Sequence, residues 1–218
     1  MKAKQLYPGV VFLEFATQKE MTVTMCRVQE FYESDSSKIR NKKFSWEDFL
    51  HTYTEENGEI DYFHRVVGFN IPSKYFNNFV KTFKLNKQED EMVQKVYSLV
   101  NKKHPFTVIA TKHGEPSSTK KHELAHAFYS LNKGYKKAVN EIIGRIPKRQ
   151  RALLKAAITK HGYADKVVTD EMNAYLATST RKQILKLFEY DTKSISQHAD
   201  ELKTLLKELL KLQRENMK

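Results

Sequence analysis

Seven glycines and five prolines are spread over 218 residues, and this scarcity constrains the fold more than any other feature. Folds built from many short strands need glycine and proline at their tight turns, where φ must be positive or pre-set. A chain this poor in both cannot supply those turns and is expected to run mainly in helices. Hydrophobic residues make up 40% of the chain and aromatic residues 11%, so a sizeable core can form and wholesale disorder is excluded. A single cysteine, Cys26, excludes a disulfide framework and any cysteine-rich zinc module.

The hydrophobic periodicity divides the chain into elements. Val10–Ala16 reads as a short strand. Met21, Met25, Val28 and Phe31 recur at helical spacing over about 19–33. Ser45 with Asp48 forms a capping box that opens a helix ending at Gly58. Residues 60–71 read as extended, Ser73 as the cap of another helix, and 86–102 as a strong helical pattern. His104–Lys112 changes period, and its β-branched run is that of a strand. Ser117, Ser118 and Thr119 offer caps for a helix running to Leu131, and further helices are expected over 135–145, 148–160, 169–177 and 180–189. From Ser196 one long helix carries Leu202, Leu205, Leu209 and Leu212 as a stripe that docks on the body of the protein. The fold class is therefore α+β and mostly helical, with a small β-sheet and a long C-terminal helix. Composition shifts near residue 101. This suggests one domain over 1–218 with an N-terminal lobe (1–100), a helical core (101–190) and a C-terminal helix (191–218).

Residues 122–126 read His122-Glu123-Leu124-Ala125-His126. On a helix, positions i and i+4 lie on one face, so both imidazoles can ligate one metal ion. Glu123 lies about 100° round the helix, where it can accept a proton from a water activated by that metal. Leu124, Ala125, Ala127 and Phe128 make the helix apolar, and two histidines one turn apart on a buried helix need a partner. Zinc is the expected ion.

A zinc hydrolase site needs a third protein ligand. Glu171, in Thr169-Asp170-Glu171-Met172-Asn173-Ala174-Tyr175, is the preferred candidate, with Thr169 as N-cap. An acidic pair entering an apolar helix is costly unless it is used. Asp170 fits a supporting role, accepting from a ligand imidazole. His161, in a Lys160-His161-Gly162 turn at a helix end, and His198 are weaker rivals. Tyr163, Tyr175 and His161 are the available donors for a developing oxyanion.

His122-Glu123-x-x-His126 followed by a distant helical glutamate resembles the gluzincin class of zinc metallopeptidases, particularly the small single-domain members. The resemblance covers roughly 105–178. It implies a zincin-like domain in which His122, His126 and Glu171 bind zinc and Glu123 is the general base. Where that class often has an acidic residue a turn after the glutamate ligand to brace a histidine, this chain has Tyr175, so the brace passes to Asp170. The resemblance also implies that about Phe106–Thr111 is an edge strand packed on the active-site helix, along which a protein or peptide substrate pairs.

Lysine and arginine outnumber aspartate and glutamate 38 to 26, a net charge of +12. Such a balance invites an anionic partner, nucleic acid or acidic protein, although no nucleic-acid fold signature accompanies it. The rival readings are therefore a basic nucleic-acid-binding or regulatory protein with a structural or degenerate metal site, and an inactive member of the peptidase class. No stretch approaches the roughly 20 apolar residues of a membrane span. No secretory signal is recognised at the N-terminus, so a cytoplasmic location is expected.

Overall fold

The computed structural model describes every residue except 35, 162, 164, 189–192 and 218, and for 187, 188, 193 and 194 it describes the backbone alone. The Gly162 turn and the last residue of the expected 180–189 helix lie outside the described residues. The chain divides into two compact units, Met1–Lys120 and Lys121–Lys218. The division thus falls at residue 120 instead of near 101, and the strand expected to open the helical core belongs to the first unit.

That first unit is built on a four-stranded mixed sheet. Strands β1 (Lys2–Tyr7) and β2 (Val10–Phe15) form an antiparallel hairpin closed at Gly9, whose φ of 76° requires glycine. Strands β3 (Gly68–Pro72) and β4 (Thr107–Lys112) complete the order β1-β2-β4-β3. β1 has no counterpart in the sequence-based expectation, because its alternation is weak and its residues are mostly polar.

Strand β4 lies inside the sheet. It pairs in parallel with β2 (Val11 opposite Val108) and antiparallel with β3 (Ile71 opposite Val108). The expectation that 106–111 forms an edge strand for a substrate is therefore corrected, since both rows of its backbone groups are already paired. The physical sign was present in the sequence: Val108-Ile109-Ala110 is an apolar run without alternation, the pattern of an interior strand, and Thr107–Thr111 is buried throughout. The edges are β1 and β3.

Five helices complete this unit. They are α1 (Gln18–Glu33), α2 (Trp46–Asn57), α3 (Tyr62–Arg65), α4 (Ser73–Thr82) and α5 (Lys87–Leu99). The capping box of α2 forms as expected: Asp48 N donates to Ser45 Oγ at 3.0 Å, and Ser45 N to Asp48 Oδ2 at 2.8 Å. The helix stops at Gly58, where φ is 79°. Residues 60–71 are not extended throughout; α3 interrupts them before β3 begins. Pro72, not Ser73, occupies the cap position of α4.

Helix α1 packs on β2, β3, β4, α4 and α5, and phenylalanines 15, 49, 69, 76, 79 and 106 are fully buried. One charged pair crosses this interior. Arg27 on α1 meets Glu89 on α5 in a two-pronged contact, Nε to Oε1 at 2.7 Å and Nη2 to Oε2 at 2.5 Å. Glu89 Oε2 also accepts from Asn86 N at 2.9 Å, so the same carboxylate caps α5. Cys26 is fully buried beside this pair, and burial, reinforced by Glu30 and Glu89, pushes its thiol well above the usual range.

The second unit takes in the greater part of α6 (Ser117–Leu131), then α7 (Lys133–Arg145), α8 (Lys148–Lys160), α9 (Val168–Thr178), α10 (Arg181–Phe188) and α11 (Lys193–Glu215). Helix α9 is its hub, touching α7, α8 and α11. Val168, Glu171, Met172, Asn173, Ala174, Leu176 and Ala177 are all buried in it. Its cap position is held by Val167, not Thr169, which leaves Asp170 and Glu171 in the first turn. On α11 the buried stripe is Ile195, Ala199, Leu202 and Leu206. Of the expected stripe only Leu202 is fully buried, and Leu212 remains 52% exposed. The excess of leucines allowed two stripes at 3.6-residue spacing, and packing selected the one in line with Ile195. Among the described residues, no helix is long and apolar enough to cross a membrane.

The first unit carries a testable pH dependence. Burial raises the Glu30 carboxyl from about 4.5 to about 7, against smaller opposing effects of Ser34 and Tyr62. A carboxyl whose folded value is raised favours the folded state in its protonated form. That stabilisation is complete below about pH 4.5 and is lost as pH rises through about 7. Glu30→Gln should therefore flatten the fall in unfolding free energy between pH 5 and 7.5, by on the order of 2–3 kcal/mol. Urea unfolding of both proteins across that range measures it.

Candidate metal centre

Six consecutive residues of α6, Glu123 to Phe128, are buried, so the imidazole of His126 and the carboxylate of Glu123 sit in an interior. The i,i+4 spacing brings the two imidazoles together: His122 Nε2 and His126 Nε2 are 3.1 Å apart, with their rings edge to face. Glu171 approaches from α9. Its Oε1 lies 3.5 Å from His126 Nε2 and its Oε2 lies 3.8 Å from His122 Nε2. Together the three residues present one ligand atom each, all within 4.8 Å of one another.

This donor set fits a metal ion. Ligands about 2.0–2.1 Å from a tetrahedral ion lie roughly 3.3 Å apart, close to the separations found. Two neutral imidazoles and one carboxylate form a mixed nitrogen and oxygen set suited to zinc, and three protein ligands leave a fourth position open. Among the described residues, His122, His126 and Glu171 are the group of this kind. His161 ends up exposed at the C-cap of α8, and His198 is buried on α11 but does not join the group.

Asp170 supports the centre from behind. Its Oδ1 lies 3.0 Å from His126 Nδ1, a placement that favours a proton on Nδ1, while Nε2 faces Glu171 and His122. Electrostatics separate the two histidines. Burial, together with the neighbouring His126, holds His122 well below the usual imidazole value. Burial acts the same way on His126 but is overcome by Asp170, Glu171 and Glu123, which raise it well above that value.

The two expected tyrosines also meet here. Tyr175 stacks edge-on against the His122 ring, centroids 4.7 Å apart. Its hydroxyl is 3.0 Å from that of Tyr163. Burial, and then Glu171, pushes the Tyr163 hydroxyl far above its usual range, and burial also raises Tyr175. Both hydroxyls therefore keep their protons. Glu123 is buried on α6 directly after His122 in the chain, and its charge adds to the upward shifts of His126, Tyr163 and Tyr175.

Sequence reasoning missed the residue that aligns these groups. Asn173, fully buried on α9, donates to the Ala125 carbonyl of α6 at 3.4 Å and accepts from Tyr135 Oη of α7 at 2.9 Å. The available signal was an amide inside the apolar run Met172-Asn173-Ala174, since a buried amide requires partners. Asn173→Ala should strand the Tyr135 hydroxyl and lower the unfolding free energy by about 1–3 kcal/mol. It should also weaken metal binding, because Glu171 would no longer be held in register with His122 and His126. Denaturant titration together with a competition assay for zinc checks both effects.

Comparison of the chain with protein-family models, with curated proteins and with solved structures finds no match in any of the three.

Proposed function

We propose that this protein is a zinc-dependent peptidase that hydrolyses peptide bonds within protein substrates. One observation carries the reading: His122, His126 and Glu171 converge on a single point from two helices, and Glu123 is buried on the same helix as the two histidines, next to His122. A purely structural zinc site would have no use for that fourth group, and it would close the coordination sphere with a fourth protein ligand.

His122, His126 and Glu171 would hold the ion. Once bound, zinc supplies Lewis acidity to a peptide carbonyl and makes a water molecule acidic near neutral pH. Glu123 takes the proton of the attacking water and passes it to the departing amine nitrogen, which couples attack to leaving-group departure. Tyr163 and Tyr175 share one proton in their mutual hydrogen bond and keep the other to donate to the oxyanion that develops on the former carbonyl oxygen. Asp170 holds His126 in the tautomer that offers Nε2. Strand β4 takes no part in substrate pairing, since both its neighbours are in place.

Purified protein incubated with zinc and then desalted should retain about one zinc per chain. His122→Ala and His126→Ala should retain none, and Glu171→Gln should bind 10–100-fold more weakly. Glu123→Gln should keep the zinc and lose about 100- to 10,000-fold of the hydrolysis of an unstructured protein such as casein. Wild-type protein that stays metal-free under these conditions would refute the reading. Loss of zinc in Glu123→Gln would show that this carboxylate is a ligand and not the base.

A further inference from the structure

The net charge is unevenly divided. Residues 121–218 hold 20 of the 38 lysines and arginines but only 11 of the 26 acidic residues, +9 of the total +12. Within that unit two helices concentrate it. Helix α8, Lys148-Arg149-Gln150-Arg151-Ala152-Leu153-Leu154-Lys155-Ala156-Ala157-Ile158-Thr159-Lys160, has five basic residues and no acidic one. Helix α10, Arg181-Lys182-Gln183-Ile184-Leu185-Lys186-Leu187-Phe188, has three and none. These two helices pack on each other.

Their apolar anchors point inward, with Leu154 and Ile158 of α8 and Ile184 of α10 buried. Lys148, Arg149, Lys155, Lys182 and Lys186 are exposed. Among the described residues, Lys148, Arg149, Lys182 and Lys186 enter no ion pair, whereas Lys155 meets Asp165 on the rim at 2.8 Å. Between the cations of α8 the exposed positions are small, Ala152 and Ala156. The outer face of α8 is thus cationic and sterically low, over 13 residues or about 20 Å of helix.

We infer that α8 and α10 form a docking surface for the phosphate backbone of double-stranded DNA. A helix whose charged residues are all cationic, with exposed alanines between them, can approach a groove about 12 Å wide whose walls are lined with phosphates. Single strands are disfavoured because no aromatic side chain on the described faces offers a stacking platform. A membrane surface is disfavoured because Leu185, 38% exposed, is the one large apolar side chain offered by this face among the described residues. The contact reads charge and shape and carries no base specificity. It does not rest on the peptidase reading, although α8 also packs on α9, the helix that bears Glu171.

The test compares wild type with two variants of equal net charge, using fluorescence anisotropy and a labelled 20-base-pair duplex of mixed sequence. One variant is Lys148→Gln/Arg149→Gln/Lys182→Gln/Lys186→Gln. The other removes four exposed lysines of the first unit, Lys42→Gln/Lys43→Gln/Lys87→Gln/Lys103→Gln. Wild type should bind the duplex at 50 mM salt, with log K falling by about 4 or more per tenfold rise in salt. The first variant should bind at least 10-fold more weakly with a shallower slope, and the second should stay within about 2-fold of wild type. Circular dichroism checks that both remain folded, and either four-site variant can be split into pairs if it does not. Equal losses in the two variants would reduce the effect to overall charge and overturn the proposal. So would absence of duplex binding at low salt, or binding to anionic phosphatidylserine vesicles or duplex RNA in preference to DNA.

Discussion

Asn173 is the joint on which the second unit turns. A helix can present a carboxylate anywhere around its circumference, and sliding α9 along α6 by one residue would rotate Glu171 by about 100° away from the histidines. The amide prevents this because it satisfies two helices at once, α6 through the Ala125 carbonyl and α7 through Tyr135. It lies two residues beyond Glu171, and Ala125 lies one residue before His126, so the bond is formed next to the groups it aligns. Apolar packing of Met172, Ala174 and Leu176 supplies the bulk of the attraction, but such packing is tolerant of small shifts. A buried amide is not tolerant, because each misplaced donor or acceptor loses a hydrogen bond with no water to replace it.

The same economy appears in the charges around the centre. Three carboxylates, those of Glu123, Asp170 and Glu171, surround His126, an arrangement that is costly without a nearby positive charge. His126 is raised and His122 lowered in their affinity for protons. With the two Nε2 atoms 3.1 Å apart, a positive charge on one imidazole opposes a second on the other. The group of two imidazoles and Glu171 is one that could hold a cation, and a divalent ion there would offset the three carboxylates. The first unit shows the contrasting solution, in which Arg27 and Glu89 are matched one to one and the carboxylate gains a capping amide besides.

Much of this was legible in the sequence where a pattern has one physical solution. The His122–His126 spacing, the capping box at Ser45 and Asp48, and the helical character set by scarce glycine and proline each leave little choice, and each is found. The long-range approach of Glu171 to the histidines followed from the cost of burying an acid, which is a physical argument about the residue and not about distance along the chain. The failures came where a local pattern admits two answers. The leucines of α11 allow two stripes, and only the neighbours of Ile195 and Ala199 decide between them. The edge position expected for β4 rests on resemblance alone, while the unbroken apolar run Val108-Ile109-Ala110 speaks for the interior. Asn173 was passed over because an amide in a helix announces a need for partners without naming them.

The sealing of Cys26 reaches beyond the first unit. It is the chain's one thiol, and it sits in α1 with its proton firmly held, so oxidants and thiol reagents that act on thiolates find nothing to attack. The group on α6 and α9 that could hold a metal is made of imidazoles and a carboxylate, side chains that do not climb the oxidation ladder open to cysteine. Neither the core nor this group therefore offers a thiolate. A zinc site built on thiolates would bind or lose its ion as the surroundings turned reducing or oxidising, whereas an ion held by imidazoles and a carboxylate would not depend on the state of a thiol.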